Sequence, residues 1–167
     1  MTDHIVVGER VVLDVSFRAA QARLEMMARG GMLWRAAEIA YGEGITVLVR
    51  AAGPAAGLTR LSAARLDGMA DTYGCAHIPL QWEAIAADGS LFTALDGDLM
   101  LVPVRDRISA LAVTGEYRPQ PGPAGAGLDR SIVRECATTA IRSFLAHVAC
   151  ALAHPAGTAG PAGHARR

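Results

Sequence analysis

The sequence predicts an α+β domain in which a curved antiparallel sheet wraps a long C-terminal helix. Three observations carry that expectation. A β-branched run near the N-terminus, "ERVVLDVSF", leads into helix-forming segments. Three strand-like segments, "CAHIPLQWEAIA", "LFTALDGDLMLVPV" and "RISALAVTGEYRP", then follow one another across the hairpin-length connections "ADGS" and "RDR". Finally, "LDRSIVRECATTAIRSFLAHVACALA" carries one continuous apolar face.

Taken in order, "ERVVLDVSF" is the first strand and "RAAQARLEMMARGG" a helix stopped by a glycine pair. "MLWRAAEIAYGEG" repeats the device, with Leu33, Ala36, Ala37, Ala40 and Tyr41 on one helical face, so two short helices are expected after the first strand. "ITVLVRAAG" is β-branched and "LTRLSAARL" a plausible partner strand, which makes Gly53 to Gly57 a hairpin loop. "DGMADTYG" has no clear assignment, and the three-strand meander follows. In the last helix Leu128, Ile132, Val133, Cys136, Ala137, Ala140, Ile141, Phe144, Leu145, Val148, Ala149 and Leu152 form the apolar face, with Arg134, Thr138, Arg142 and His147 outside it. The domain is expected over residues 1–153. Residues 154–167, rich in Pro, Gly and Ala, are expected to be a disordered tail.

Composition narrows the function classes. The 167 residues suit one domain with a sizeable core, and the balance of 16 basic and 16 acidic side chains leaves no net field to recruit nucleic acid or acidic lipid. Every basic residue is Arg, a composition expected of a GC-rich, actinobacterial type of genome; without Lys there is no Schiff-base amine and no phosphate-loop lysine. Cys75, Cys136 and Cys150 form no C-x-x-C pair. Fourteen residues along one helix, at about 1.5 Å each, hold Cys136 and Cys150 too far apart to bridge. Free thiols, no signal-peptide pattern and no long uncharged apolar stretch point to a cytoplasmic protein with no stable membrane insertion.

The order of elements, together with "IPLQWEA", "LFTALDGDLMLVP", "LAVTGEYRPQPG" and "LDRSIVRECATTAIRSFL", resembles the START-like superfamily, also called SRPBCC, which includes lipid-transfer domains and polyketide cyclase/dehydratases. The resemblance covers residues 9–153 in element order and is concentrated in 77–145. It implies the helix-grip fold, with an apolar cavity between sheet and helix that takes a hydrophobic small molecule and no cofactor.

Within that frame Trp34, Tyr41, Arg65, Trp82, Leu99, Leu101, Tyr117, Ile141 and Phe144 are the expected ligand contacts, each also readable as core or surface. Alternation puts Leu95, Leu99 and Leu101 on one side of their strand and Asp96, Asp98 and Met100 on the other. The two aspartates should therefore face water, since burying unpaired carboxylates is costly. The same rule puts Ile78, Leu80, Trp82 and Ala84 opposite His77, Gln81 and Glu83, and Tyr117 with Leu111, Val113 and Gly115. Gly115 inside a strand suggests a bulge or a close approach. Arg60 or Arg65 must share a side with Leu61, and a cavity arginine could pair an anionic head group.

"GPAGAGLDRS" opens a helix but lacks the residues of a phosphate-binding loop, and the five histidines show no metal-ligand spacing. The expected function is binding of a lipid, polyketide-like or isoprenoid-like compound. A cyclase or dehydratase with Tyr117, Arg65, His77 or Glu83 moving protons is one alternative; a non-catalytic interaction module with a filled cavity is another. Composition and spacing fix neither enzymatic activity nor oligomeric state.

Overall fold

A computed structural model describes residues 5–53, 59–66, 69–118 and 128–154, with the backbone alone at Arg65, Leu66 and Thr72. Strand β1 (Ile5–Leu13) runs into helices α1 (Phe17–Arg29) and α2 (Met32–Ala52). Strands β2 (Arg60–Leu66), β3 (Ala70–Thr72), β4 (Cys75–Ile85), β5 (Leu91–Arg105) and β6 (Ile108–Tyr117) precede helix α3 (Arg130–Ala153). The six strands form one antiparallel sheet in the order β1-β6-β5-β4-β2, with β3 paired to the other half of β4. α3 packs against the concave face together with α2, which gives the helix-grip fold.

β1 begins at Ile5, four residues before the expected start, because Ile5, Val7 and Leu13 continue one buried row while Val6 and Val12 point to solvent. α1 is capped by Ser16, whose hydroxyl accepts from the Ala19 amide at 3.4 Å. Its inner face buries Ala20, Leu24 and Met27 at helical spacing. Arg23 of α1 donates to the carbonyl of Leu152, one of the last-turn carbonyls of α3 that have no partner within their own helix.

The second helix corrects the sequence expectation. α2 is not short: it runs 21 residues through Gly42 and Gly44, and "ITVLVR" is its second half rather than a strand. Leu33, Ala37, Ala40, Tyr41, Gly44 and Leu48 share the buried face, so the β-branched residues continue an amphipathic helix whose packing outweighs their local preference. Gly44 is a contact point and not a stop. A Cβ there would lie 3.0 Å from both the Ala140 side chain and the Cys136 carbonyl of α3. The expected hairpin from Gly53 to Gly57 also fails: β2 pairs with β4, not with residues 45–53, and positions 54–58 lie outside the described residues.

"DGMADTYG" contributes β3 and a tight two-residue turn, with Tyr73 at φ 55° and Gly74 at φ 75°, the conformation that suits hairpin twist. β4, β5 and β6 form the expected meander. In β4, Ile78, Leu80, Trp82 and Ala84 are buried while the residues between them are half-buried, as alternation requires.

β5 and β6 approach each other at Gly97 and Gly115, which are register partners on the concave side. A Cβ on Gly97 would come within 2.3 Å of the Thr114 carbonyl, and one on Gly115 within 2.6 Å of the Asp96 carbonyl. The expected close approach at Gly115 is therefore to Gly97 of the neighbouring strand.

α3 starts at Asp129, whose carboxylate accepts from the Ser131 amide at 2.8 Å and from its hydroxyl at 2.7 Å. By length and composition α3 could cross a membrane, but here its apolar face is buried against the sheet and α2. At the centre Trp82 and Phe144 meet edge to face, with ring centroids 5.5 Å apart and planes at 79°. The expected entry loop before α3 and the expected tail lie largely outside the described residues, at 119–127 and 155–167.

Candidate functional site

Among the described residues the interior is mostly apolar; besides the buried Ser109 and Ser143, polar side chains gather at the end where α2, the C-terminal end of β6 and the first turns of α3 converge. Tyr41 of α2 is buried, and its hydroxyl donates to the Thr59 hydroxyl, just ahead of β2, at 3.1 Å. Tyr117, the last residue of β6, places its hydroxyl 3.6 Å from the Cys136 thiol of α3. A small space opens beside these pairs. The buried Leu48 and Val133 complete its inner wall, and the half-buried Ile45, Phe92, Leu128 and Arg118 stand at its rim. Between the lining atoms lie about 280 Å³, counting the open side, of which about 10 Å³ admits the centre of a water-sized sphere. That is room for roughly one water, against the several hundred Å³ of a pocket that encloses a drug-sized ligand.

Burial sets the protonation of the cluster. It pushes the Tyr41 phenol up to about 12, partly offset by the bond to Thr59. It also raises Tyr117 well above its ordinary value, with Cys136 and Tyr41 adding to the effect. The Cys136 thiol is pushed up to about 11, again chiefly by desolvation, with its contact to Tyr117 opposing. All three groups are neutral at physiological pH and act as hydrogen-bonding groups rather than as a base or a thiolate. Two buried nitrogens near this interior, the Arg118 Nε and the Trp82 Nε1, have no hydrogen-bond partner among the described residues.

Of the residues expected to contact a ligand, Tyr41 and Tyr117 border this space. Trp82, Leu99, Leu101, Ile141 and Phe144 are fully buried in the packed core behind it. Trp34 is half-buried, one position off the inward row of α2 that holds Leu33, Ala37 and Tyr41, and it does not border the space. The Arg65 side chain lies outside the described residues; its backbone pairs with Gln81.

His77 and Glu83, the other proton-transfer candidates, are on the sheet face away from α3. His77 Nε2 sits 2.9 Å from Asp98 on that outer face. Asp96 is exposed, so the two aspartates are the solvent side of β5 while Leu95, Leu99 and Leu101 are its core side. Among the described residues no three His, Cys, Asp or Glu side chains converge to hold a metal ion.

Sequence reasoning missed Thr59 and Arg118. Each lies just outside a strand, and only the return of the chain across the sheet brings them together. It also missed Ile45 and Leu48, because their segment read as a strand. Cys136 stood on the predicted apolar face of the last helix, but nothing local marked it as the partner of Tyr117.

No family model matches the sequence, and no curated protein matches it. Among solved structures it is similar to a conserved protein of Geobacillus kaustophilus, at 12% identity over 89% of this chain and 95% of that one, with a TM-score of 0.48. It is also similar to an aromatase/cyclase from Streptomyces, at 9% identity over 93% and 99% of the two chains, TM-score 0.37. A START superfamily protein from Mycobacterium smegmatis matches at 11% identity over 90% and 94%, TM-score 0.37. Similarity at this level carries no ligand or reaction across. The chain has the helix-grip fold on the strength of its own strand order and of α3 lying in the concave face of its sheet.

Proposed function

We propose that the protein binds a small apolar molecule, of lipid, polyketide or isoprenoid type, at the end of the grip bordered by Tyr41, Tyr117 and Arg118. One observation carries this reading: in a mostly apolar interior, the hydroxyls of Tyr41, Thr59 and Tyr117 and the Arg118 side chain gather beside a space that opens to the surface. Apolar walls with a few converging polar groups are the usual composition of a small-molecule site. Entry of a ligand requires the rim residues Ile45, Phe92 and Leu128 to move apart, because the present space is too small for one. The three free cysteines and the balanced charge fit a cytoplasmic location and a partner other than nucleic acid.

Proton-transfer chemistry of the cyclase type has less support. It needs a base as well as an acid inside the cavity, and the described residues bordering the space offer neutral phenols but no carboxylate or imidazole. A filled-core interaction module is the second reading, favoured by the small volume and by the closed packing of Trp82 on Phe144.

Native mass spectrometry of the purified protein separates these readings, followed by denaturing extraction and small-molecule mass analysis. A stoichiometric apolar compound, or saturable binding from a panel of fatty acids, sterols and polyphenols, is the expected result. A ligand-free protein that binds none of the panel overturns the binding reading in favour of the filled core.

A further inference from the structure

We infer that the ligand of this site is a carboxylic acid on an apolar tail, whose carboxylate is received by Arg118 with help from the hydroxyls of the two tyrosine pairs. The inference rests on the binding reading above and deepens it.

The argument is one of donors and acceptors. The polar side chains of the described wall are Tyr41, Thr59, Tyr117 and Arg118, and among the described residues no Asp, Glu or His borders the space. A guanidinium only donates, and the Nε of Arg118 is buried with no acceptor among those residues. The Tyr41 and Thr59 hydroxyls hold two hydrogens between them and use one in their mutual bond. Tyr117 and Cys136 likewise hold two and share one contact. Each pair keeps a hydrogen to give, and burial keeps both phenols protonated.

A wall with three donors to spare, one of them cationic, favours an anionic acceptor and disfavours an ammonium group. The whole space is small, with room for about one water, so a compact planar carboxylate demands less opening than a phosphate ester or a sugar. The rest of the described wall, Leu48, Val133, Ile45, Phe92 and Leu128, is apolar, which suits a hydrocarbon tail.

The test is a matched series of decanoic acid, decanol, methyl decanoate and decylamine, titrated calorimetrically near neutral pH into the wild-type protein and into Arg118→Gln. The acid should bind about tenfold or more tighter than the alcohol and the methyl ester, the size of one charge-assisted hydrogen bond, and the amine weakest of all. Arg118→Gln should abolish the acid's advantage over the alcohol and the methyl ester.

Equal binding of acid and alcohol to the wild type, or an acid preference that survives Arg118→Gln, overturns the inference but leaves the binding reading intact. Failure of every member to bind overturns the inference, and the binding reading is then decided by the sterols and polyphenols of the wider panel. Should Arg118→Gln not fold, the ranking on the wild type alone decides the matter, and Tyr117→Phe serves as the second variant, with a several-fold larger loss for the acid than for the alcohol.

Discussion

Gly44 of α2 rests against Ala140 of α3, and a Cβ at Gly44 would stand 3.0 Å from the Ala140 Cβ and 3.0 Å from the Cys136 carbonyl. The two helices reach this separation because one side chain is missing. Gly42, two residues earlier, is exposed and has nothing within 4 Å of its would-be Cβ.

The two glycines should therefore respond oppositely to substitution. Gly42→Ala should stabilise by about 0.5 to 1 kcal/mol, the intrinsic helical advantage of Ala. Gly44→Val should destabilise by about 2 to 3 kcal/mol, because neither the Cys136 backbone nor Ala140 can yield without moving α3. Urea denaturation of both variants measures this, and equal effects would mean that α2 and α3 do not meet at Gly44.

The Gly97–Gly115 pair makes a similar demand within the sheet. Alanine at Gly97 would put its Cβ 2.3 Å from the Thr114 carbonyl, a distance that only backbone movement can relieve. Gly97→Ala and Gly115→Ala should each cost about 3 kcal/mol, and the double variant less than the sum, since the first substitution already spreads β5 from β6. Thermal melts of the two single variants and the double variant test the coupling; strict additivity would contradict it.

Phe144 and Trp82 anchor the closed part of the interior, both fully buried and in edge-to-face contact. Phe144→Ala should cost about 3 to 5 kcal/mol and leave a cavity beside Trp82. Phe144→Leu should cost about 1 to 2 kcal/mol. Denaturant unfolding followed by Trp fluorescence gives both values, and an Ala variant as stable as the Leu variant would show that the neighbours collapse into the space.

The parts of the molecule that the sequence revealed are those in which local pattern and tertiary demand agree. Period-two alternation correctly sorted Leu99 from Asp98, Trp82 from His77 and Tyr117 from Glu116, because each central strand has one face on α3 and one toward solvent. The apolar face of α3 was likewise legible from its spacing.

Residues Ile45 to Val49 misled because their β-branched content expresses a local preference, while the helix is held by contacts to α3 far away in sequence. At the site, Tyr41 and Tyr117 stood out as hydroxyl-bearing rings on apolar faces. Thr59 and Arg118 did not, since their proximity depends on where the chain closes and on no periodicity of their own. Trp34 drew attention by size, yet a helix turns about 100° per residue and carries it off the row that begins at Leu33.

Alkaline pH should attack the fold at its polar cluster. Tyr41 is raised from 10.0 to about 12 and Cys136 from 9.0 to about 11, and Tyr117 is raised as well, all chiefly through desolvation. For such acids the unfolded chain loses its protons first. Between the unfolded and folded values the native state binds more protons, so stability falls as pH rises. For Tyr41 and Cys136 the contribution is fully present below about pH 9, declines from there through about pH 12 and is absent beyond it. Tyr41 alone accounts for a loss of roughly 2 to 3 kcal/mol.

Tyr41→Phe should flatten the alkaline limb. Near pH 7 it should cost about 1 to 2 kcal/mol, because the Thr59 hydroxyl loses its partner. Urea unfolding at a series of pH values from neutral to strongly alkaline, on wild type and variant, checks both effects. A variant curve parallel to that of the wild type above pH 9 would place the alkaline weakness outside the Tyr41–Thr59 pair and leave Tyr117 and Cys136 to account for it.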